Sequence, residues 1–154
     1  MGKNHVEDLE KKLQAIKAKN IMTKEVITTV ETASLSEIAE IMIKKRISGM
    51  PVVDIKGKIV GIVSEADLFL VMDMIKSGDV VEDSMAAISH PTVKFAMSTE
   101  VCKIKKDTTL DEIITLMKYK NIHTLPVFDG AKMVGVIGRR DVFKNFYSVI
   151  KKLV

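Results

Sequence analysis

Two adjacent arginines and an aspartate stand together near the end of the sequence, as Arg139, Arg140 and Asp141. They begin a predicted helix, whose first backbone N–H groups are free to bind an anion. Guanidinium groups bind phosphate through paired donors, and a carboxylate accepts hydrogen bonds from hydroxyl groups. The two arginines and the helix start therefore predict a phosphate-binding site, with a solvated pair of surface arginines as the alternative.

Cysteine and histidine offer little catalytic chemistry. The chain has one cysteine, Cys102, and three histidines at scattered positions. A single cysteine excludes an internal disulfide, and no spacing matches a zinc site. Cys102 lies in an apolar stretch with no histidine at a fixed spacing, which favours buried packing over nucleophilic catalysis. We therefore expect neither a structural metal nor an enzyme.

The composition is that of a globular protein. Of 154 residues, 47% are hydrophobic and 29% are charged, which argues against disorder. The apolar runs are far shorter than the roughly 18 residues of a membrane-spanning helix, and the N-terminus has no signal-peptide pattern. We expect a cytoplasmic protein with no membrane partner. The net charge of +4 predicts an anionic partner.

The sequence contains an internal repeat. A shift of 75 residues aligns 22–54 with 97–129, with identity at 12 of 33 positions, and 60–67 then aligns with 134–141. A unit of about 55 residues buries too little surface to fold alone comfortably, so the copies are expected to pack together. The expected organisation is an N-terminal helix at 1–18, repeat 1 at 19–75, an acidic linker at 76–92 and repeat 2 at 93–154.

Each copy is predicted to fold as a β-α-β-β-α unit. A short strand, at 27–30 in the first copy, precedes a helix that begins at a capping box, Ser34 with Glu37 or Thr109 with Glu112. Apolar residues at helical spacing give that helix one buried face. Two apolar strands joined by a glycine-containing turn follow, and then a closing helix. The N-terminal helix is expected to cover an exposed sheet rather than bind a partner.

The repeated pattern resembles a known family. Each copy has Met-Thr or Met-Ser, then Ile-x-x-Met/Leu-Pro-Val-x-Asp, then Val-Gly followed by Asp-Leu or Asp-Val. This resembles a cystathionine-β-synthase (CBS) domain pair, or Bateman module, over about residues 19–146. The resemblance implies an α/β (α+β) fold of two tandem β-α-β-β-α repeats packed sheet to sheet with pseudo-two-fold symmetry. It also implies a regulatory module that binds AMP, ADP, ATP or S-adenosylmethionine in the clefts between the repeats and forms homodimers.

The family's ribose-binding aspartate corresponds to Asp67 and Asp141. A carboxylate suits this role because it can accept hydrogen bonds from both the 2′- and 3′-hydroxyls. Ser64 retains the family hydroxyl that helps to hold ribose or phosphate, whereas Gly138 departs from it. Because Ser64 and Asp67 also have the spacing of a capping box, Asp67 has a structural alternative. Asp141 is therefore ranked ahead of Asp67 for ligand contact.

The resemblance implies further contacts from the repeat opposite each aspartate. Aliphatic side chains can bind adenine, although the same residues are equally credible as core. The residues implied to face Asp141 are Val26, Ile27, Ile47 and Met50. Those implied to face Asp67 are Val101, Cys102, Ile122 and Leu125. The implied set also contains Pro51, Pro126, the loop residues Ser48, His123 and Thr124, and the hydroxyls of Thr23 and Ser98.

The charge distribution keeps a second function open. Residues 93–154 carry twelve Lys and Arg against six Asp and Glu, whereas residues 21–72 carry six against seven. A basic second repeat suits nucleic acid as well as a bound phosphate, but no nucleic-acid-binding motif or set of interleaved aromatics is present. We expect a sensor of adenosyl ligands that requires no cofactor and acts on an effector protein in trans. Nucleic-acid binding is the alternative.

Overall fold

A computed structural model describes residues 2–78 and 90–153. Its elements are, in chain order, α1 Lys3–Ala15, α2 Ala18–Ile21, α3 Leu35–Lys45, β1 Gly49–Val53, β2 Ile59–Ser64, α4 Glu65–Ser77, α5 Val93–Ala96, β3 Ile104–Lys105, α6 Leu110–Tyr119, β4 Thr124–Asp129, β5 Lys132–Gly138 and α7 Arg139–Leu153. Most of the predicted acidic linker, residues 79–89, lies outside the described residues. Within the described ranges, no helix combines the length and apolar character needed to cross a membrane.

The chain forms two packing units. Unit 1 contains residues 1–26 and 102–154, and unit 2 contains residues 27–101. Both follow the predicted order of a helix, a β-hairpin and a closing helix, so the mixed α+β fold of tandem repeats is confirmed. The unit boundaries do not coincide with the repeats, because the segment that leads into each repeat packs within the other repeat's unit.

Unit 1 is built on a three-stranded sheet in the order β3-β4-β5. Strands β4 and β5 form an antiparallel hairpin, and β3 pairs in parallel with β4. Helix α6 buries Leu110, Ile113 and Met117, which recur on one face at helical spacing. The same core contains the buried strand residues Ile104, Leu125, Val127 and Ile137.

The N-terminal helix has a covering role, but on helices rather than on a sheet. Helix α1 packs against α6 and α7 of unit 1. Leu13 is buried in the unit 1 core, and Leu9 and Ile16 pack against it. Helix α1 ends at Ala15, before the predicted limit of residue 18, because Ile16 has extended backbone angles. The separate short helix α2 begins at Ala18.

Unit 2 is built on the two-stranded antiparallel hairpin β1-β2. Its core contains the fully buried side chains of Ile38, Met50, Val52 and Val63. The predicted strand at 27–30 is wrong in extent. Only Thr29 pairs with the hairpin, as a single parallel bridge to Val52. Its N–H donates to Pro51, and its carbonyl accepts from Val53, so these two bonds hold the segment.

The two predicted capping boxes differ. Thr109 and Glu112 form a complete box, because each side chain accepts the backbone N–H of the other residue, at 3.2 and 3.0 Å. At α3, the N–H of Glu37 donates to Ser34 Oγ, but within the described residues the Glu37 carboxylate returns no bond. The backbone of Ser34 instead forms a bridge with Thr92. The box predicted at Ser34 is therefore only half formed.

The Met-Thr segment that precedes the first repeat packs in unit 1. The backbone of Thr23 exchanges two hydrogen bonds with Val136 of β5, at 2.9 and 3.0 Å. A Cβ atom on Gly135 would lie only 2.5 Å from the sulfur of Met22. Glycine is thus required here by the close approach of the methionine, not by an unusual backbone conformation.

Unit 2 contains the equivalent contact from the Met-Ser segment. Ser98 exchanges two backbone hydrogen bonds of 2.9 Å with Ile62 of β2. A Cβ atom on Gly61 would lie 2.8 Å from both the Met97 sulfur and the Ser98 carbonyl oxygen. The Val-Gly pair of each repeat therefore marks where a methionine segment crosses the second hairpin strand.

Candidate functional site

In each unit, the loop before the hairpin lies beside the start of the closing helix. An antiparallel hairpin returns the chain to the edge where it began. Gly49 therefore pairs with Ser64 in unit 2, and Thr124 pairs with Gly138 in unit 1. These pairings bring a helix N-terminus, an aspartate and a polar loop together within one unit.

Asp141 lies half-buried in the first turn of α7 in unit 1. Its Oδ2 accepts a hydrogen bond from the N–H of Gly138 at 2.9 Å. No donor among the described residues is bound to its Oδ1. One backbone donor therefore fixes the orientation of the carboxylate, while the second oxygen can accept hydrogen bonds from a ligand.

Asp67 has the same position in α4 of unit 2 but binds more protein donors. Its Oδ2 accepts from the N–H and the hydroxyl of Ser64, at 2.8 and 3.1 Å. The N–H of Asp67 donates to Ser64 Oγ at 3.4 Å, which completes a capping box. Asp67 is therefore a structural cap in this chain, and Oδ1 is its one oxygen that accepts no bond from the described residues.

The two arginines occupy different faces of α7, and both are exposed. Arg139 Nη2 donates to Oδ1 of Asn121 at 3.3 Å, and the side chain lines a groove between α6 and α7. Because helix residues are about 100° apart around the axis, Arg139 and Asp141 lie on nearly opposite sides of α7. Arg140 makes no hydrogen bond or ion pair with the described residues and keeps its full donor capacity.

Asn121 is a residue of this region that the sequence analysis missed. It has φ of 50°, in the left-handed region that asparagine tolerates better than most residues. Its Oδ1 lies 3.3 Å from Arg139 Nη2 and 3.4 Å from His123 Nε2. Asn121 thus forms hydrogen bonds both with His123 in the loop before β4 and with Arg139 at the start of α7. The available signal is an asparagine directly after an amphipathic helix, where left-handed residues commonly occur.

The predicted apolar contacts are divided between the units. Those that share unit 2 with Asp67 are Ile27, Ile47, Met50 and Val101. Those that share unit 1 with Asp141 are Val26, Cys102, Ile122 and Leu125. Val26 and Val101 therefore share a unit with the aspartate that the resemblance assigned to them, and the other six share a unit with the other aspartate.

Burial separates the predicted apolar contacts into two groups. The fully buried side chains are Met50, Pro51, Leu125 and Pro126. The half-buried side chains are Val26, Ile27, Ile47, Val101, Cys102 and Ile122. Only the second group presents surface to a ligand in this structure, and the first group supports the hairpins from within the core.

The predicted polar contacts also differ in burial. Ser48 and His123 are half-buried in the loops before β1 and β4. The carbonyl oxygen of Ser48 accepts the N–H of Glu65, which fixes its loop against α4. Thr124 is buried at the start of β4, whereas Thr23 is exposed. Thr124 pairs with Gly138 at the end of β5, whereas Thr23 pairs with Val136 within that strand.

Metal and nucleophile chemistry has little support in the ranges 2–78 and 90–153. Within them, no group of three or more His, Cys, Asp and Glu side chains could hold a metal ion. Cys102 is half-buried and packs against the core of unit 1. The geometry instead combines a fixed carboxylate with apolar surface, which suits the binding of a hydroxyl-bearing organic ligand.

Comparison with known proteins assigns the fold to a family. The family model for the CBS domain matches residues 18–73 and 93–148, which together make up more than half of the chain. The chain belongs to the CBS domain family. The two matches fall on the two sequence repeats, so the predicted CBS domain pair is confirmed.

Curated relatives that match this chain differ in length. Inosine-5′-monophosphate dehydrogenase of Methanocaldococcus jannaschii is 30% identical over 142 residues, which cover 91% of this chain and 26% of the dehydrogenase. Methylated protein MJ0556 of the same organism is 31% identical over 158 residues, covering 93% of this chain and 81% of that protein. The chain thus spans about a quarter of the dehydrogenase's length.

A solved CBS domain pair has a similar structure. The CBS domain pair of protein MJ0100, in complex with 5′-methylthioadenosine and S-adenosyl-L-methionine, matches with a TM-score of 0.69 and 28% identity. The match covers 86% of this chain and 96% of that chain. That relative therefore binds adenosyl compounds on the same fold.

Proposed function

We propose that this CBS domain pair is a regulatory module that binds an adenosine-containing ligand, of the AMP, ADP, ATP or S-adenosylmethionine class. The observation that carries the proposal is the half-buried carboxylate of Asp141, which is oriented by the Gly138 N–H and has an oxygen that no described donor binds. The 2′- and 3′-hydroxyls of a ribose are adjacent donors that such a carboxylate can accept together. The adenosyl compounds bound to the MJ0100 pair support the same ligand class.

Other residues of unit 1 suit the rest of such a ligand. Ile122 and Cys102, in the same unit as Asp141, offer half-buried apolar surface for a base. Arg140 and the first backbone N–H groups of α7 supply positive charge for a phosphate. We infer that unit 1 favours ligands that carry phosphate.

The equivalent positions of unit 2 favour a different ligand. Glu65 and Ala66 stand where unit 1 has Arg139 and Arg140, so the start of α4 repels rather than attracts phosphate. Ile27 and Ile47, in the same unit as Asp67, still provide half-buried apolar surface. Unit 2 therefore suits an adenosyl ligand without phosphate, such as S-adenosylmethionine.

The module is proposed to act without catalysis. A bound ligand shifts a conformational equilibrium only by its differential affinity for the two states, and such couplings are typically about 1–3 kcal/mol. An effector protein regulated in trans would read out this shift. The module requires no cofactor under this proposal and forms a homodimer.

Isothermal titration calorimetry with AMP, ADP, ATP and S-adenosylmethionine tests the proposal. At least one ligand is expected to bind, and at a hundred times its Kd it should stabilise the fold by about 2.7 kcal/mol. The matched control is 2′-deoxy-AMP, which lacks one ribose hydroxyl and should bind several-fold more weakly than AMP. If none of the four ligands binds, the adenosyl proposal fails.

Nucleic-acid binding is the second candidate, because α7 exposes basic side chains. These are Arg139, Arg140, Lys144, Lys151 and Lys152. Fluorescence anisotropy with labelled RNA and duplex DNA at increasing salt would test it, since phosphate contacts give a steep loss of affinity with salt. Tight binding at physiological salt, together with no binding of the four adenosyl ligands, would make this the preferred function.

A further inference from the structure

Helix α1 is attached to unit 1 by apolar contacts. Leu13 is buried in the unit 1 core, and Leu9 packs against the same core. Val6, one turn before Leu9, is instead 52% exposed. Within the described residues, no hydrogen bond or ion pair joins residues 3–15 to another element. The attachment of α1 therefore rests on the apolar side chains of its C-terminal half.

The segment that follows α1 is held by backbone hydrogen bonds. The carbonyl oxygen of Ile16 accepts the N–H of Leu110 at 2.9 Å, and the N–H of Ala18 donates to the Thr108 carbonyl oxygen at 2.8 Å. Ile16 has extended backbone angles, with φ of −88° and ψ of 125°, so the helix ends before it. A hinge therefore lies at Ile16, between a helix without polar attachments and a segment that is fixed to the start of α6.

Helix α1 has little stability of its own. It contains 13 residues, and an isolated helix of that length is marginal in water. Gly2 at the N-cap provides no side-chain hydrogen bond, and the first turn carries the basic Lys3 and no acidic residue, which opposes the helix dipole. An element with few buried apolar contacts opens at a lower free energy than the core on which it packs. Helix α1 can therefore undock while the rest of unit 1 stays folded.

Helix α7 connects α1 with the candidate ligand site. Asp141 lies in the first turn of α7, and α1 packs against the same helix. Val142, the residue after Asp141, packs against the core cluster that contains Leu13. A ligand bound to Asp141 restrains the start of α7. The same ligand therefore restrains part of the surface on which α1 docks.

We propose that α1 is a displaceable helix, which pivots at Ile16, and that an adenosyl ligand at Asp141 favours its docked state. The inference rests on the ligand site proposed above and names the element that responds to its occupancy. Undocking exposes Leu9, Leu13 and the surface of α6 and α7 that they cover, so an effector protein can distinguish the two states. Because such coupling is reciprocal, a substitution that undocks α1 also weakens ligand binding.

Hydrogen exchange of the full chain, measured by mass spectrometry with and without saturating AMP, tests the proposal. Without ligand, the amides of α1 should exchange faster than those of β4, through a local opening that low urea concentrations do not accelerate. Saturating AMP should slow the exchange of α1 about fivefold or more. Stabilisation of the whole fold leaves local openings unchanged, so this slowing reports the coupling itself.

Two variants on α1 test the reciprocal effect, and a third is their control. Leu13→Ala should accelerate the exchange of α1 about tenfold or more and raise the Kd for AMP about fivefold. Leu9→Ala removes a half-buried side chain and should change both quantities less, in the same direction, which keeps the test valid if Leu13→Ala destabilises unit 1. Val6→Ala, at the exposed end of α1, is the matched control and should neither accelerate exchange nor raise the Kd.

The remaining outcomes separate this inference from the ligand proposal. If α1 exchanges only through global unfolding, as the core does, α1 is not displaceable and the inference is wrong whether or not AMP binds. If AMP binds but changes neither the exchange of α1 nor its own affinity in Leu13→Ala, the coupling is refuted and the ligand proposal stands. If AMP does not bind, the coupling is also refuted, and calorimetry with the other three ligands decides the adenosyl proposal.

Discussion

Units 1 and 2 place an aspartate at the same point of the fold but surround it differently. In unit 2, Asp67 accepts two hydrogen bonds from Ser64 and completes a capping box. In unit 1, Asp141 accepts one hydrogen bond from Gly138, and no hydroxyl is present. The same position therefore binds two donors of Ser64 in unit 2 and a single backbone donor in unit 1, which is the difference that the proposed function uses.

The glycines of the two units give a second comparison. Gly135 of unit 1 approaches three side-chain atoms of Met22, whereas Gly61 of unit 2 approaches the Met97 side chain and the backbone oxygen of Ser98. The Sδ and Cγ atoms of Met22, which come closest to Gly135, can move by a change of rotamer, but the Ser98 backbone oxygen can move only with its segment. The glycine contacts of the two units therefore look equivalent in sequence. They differ in how far the neighbouring atoms can move to accept a larger side chain.

The largest predicted effect tests that difference. Gly61→Ala should lower the free energy of unfolding by about 3 kcal/mol, at the upper end of the usual range for overpacking, because the new methyl group meets the Ser98 carbonyl oxygen. Gly135→Ala should cost about 1–2 kcal/mol, because Met22 can adjust. Urea unfolding followed by circular dichroism measures both. Gly2→Ala, where nothing lies within 4 Å, is the control, and a larger loss for Gly135→Ala would contradict the comparison.

The second prediction compares the two aspartates in ligand binding. Asp141→Ala should weaken binding of the adenosyl ligand about tenfold, because hydrogen bonds to a charged acceptor contribute roughly 1.5–3 kcal/mol. Asp67→Ala should weaken it only a few-fold, since that carboxylate already accepts two hydrogen bonds from Ser64. Isothermal titration calorimetry measures both affinities.

Two controls make the second prediction specific. Thermal unfolding of each variant without ligand shows whether the loss of a cap has unfolded the site. Asp141→Asn keeps an acceptor for the Gly138 N–H and removes the charge, so it should fold normally and still bind more weakly than wild type. Equal losses at Asp67 and Asp141, or no loss at either, would overturn the ranking of the sites.

Local patterns predicted the longer helices and the hairpin strands of this fold. The apolar stripe of α6 and the capping pair Thr109–Glu112 are local signals, and the structure has the expected helix with a complete box. The pattern of the segment at 27–30 is also local, but pairing depends on a distant partner, and only Thr29 finds one. Sequence patterns therefore predicted the type of each element better than its extent.

Long-range packing was not predictable in the same way. Nothing in the Met22–Thr23 pair itself indicates that it packs on β5 rather than within its own repeat. The same limit applies to the candidate site, where the contact of Arg139 with Asn121 depends on a left-handed residue in a distant loop. The aspartates, in contrast, were identified through the resemblance to the CBS family, and the structure places both in the first turn of a closing helix.

The smallest predicted effect exchanges the caps of the two units. Gly138→Ser should stabilise unit 1 by a few tenths of a kcal/mol, since serine is a better N-cap than glycine. A Cβ atom at Gly138 would lie 3.8 Å from Asp141 Oδ2 and 3.9 Å from the His123 carbonyl oxygen, so the side chain fits without strain. Ser64→Gly should lower the stability of unit 2 by a similar amount. Urea unfolding of both variants measures the changes.

The Gly138→Ser substitution should also change ligand binding. Stability reports on helix capping at this position, and affinity reports on the access of a ligand to Asp141. In Gly138→Ser, the new hydroxyl can donate to Asp141 as Ser64 does to Asp67, so the affinity for the ligand should fall by up to about threefold while stability rises. Gly138→Ala is the matched control, because it adds the Cβ without the hydroxyl and should leave the carboxylate as open as in the wild type. Equal affinity in Gly138→Ser and wild type would show that the number of donors on the aspartate does not distinguish the two units.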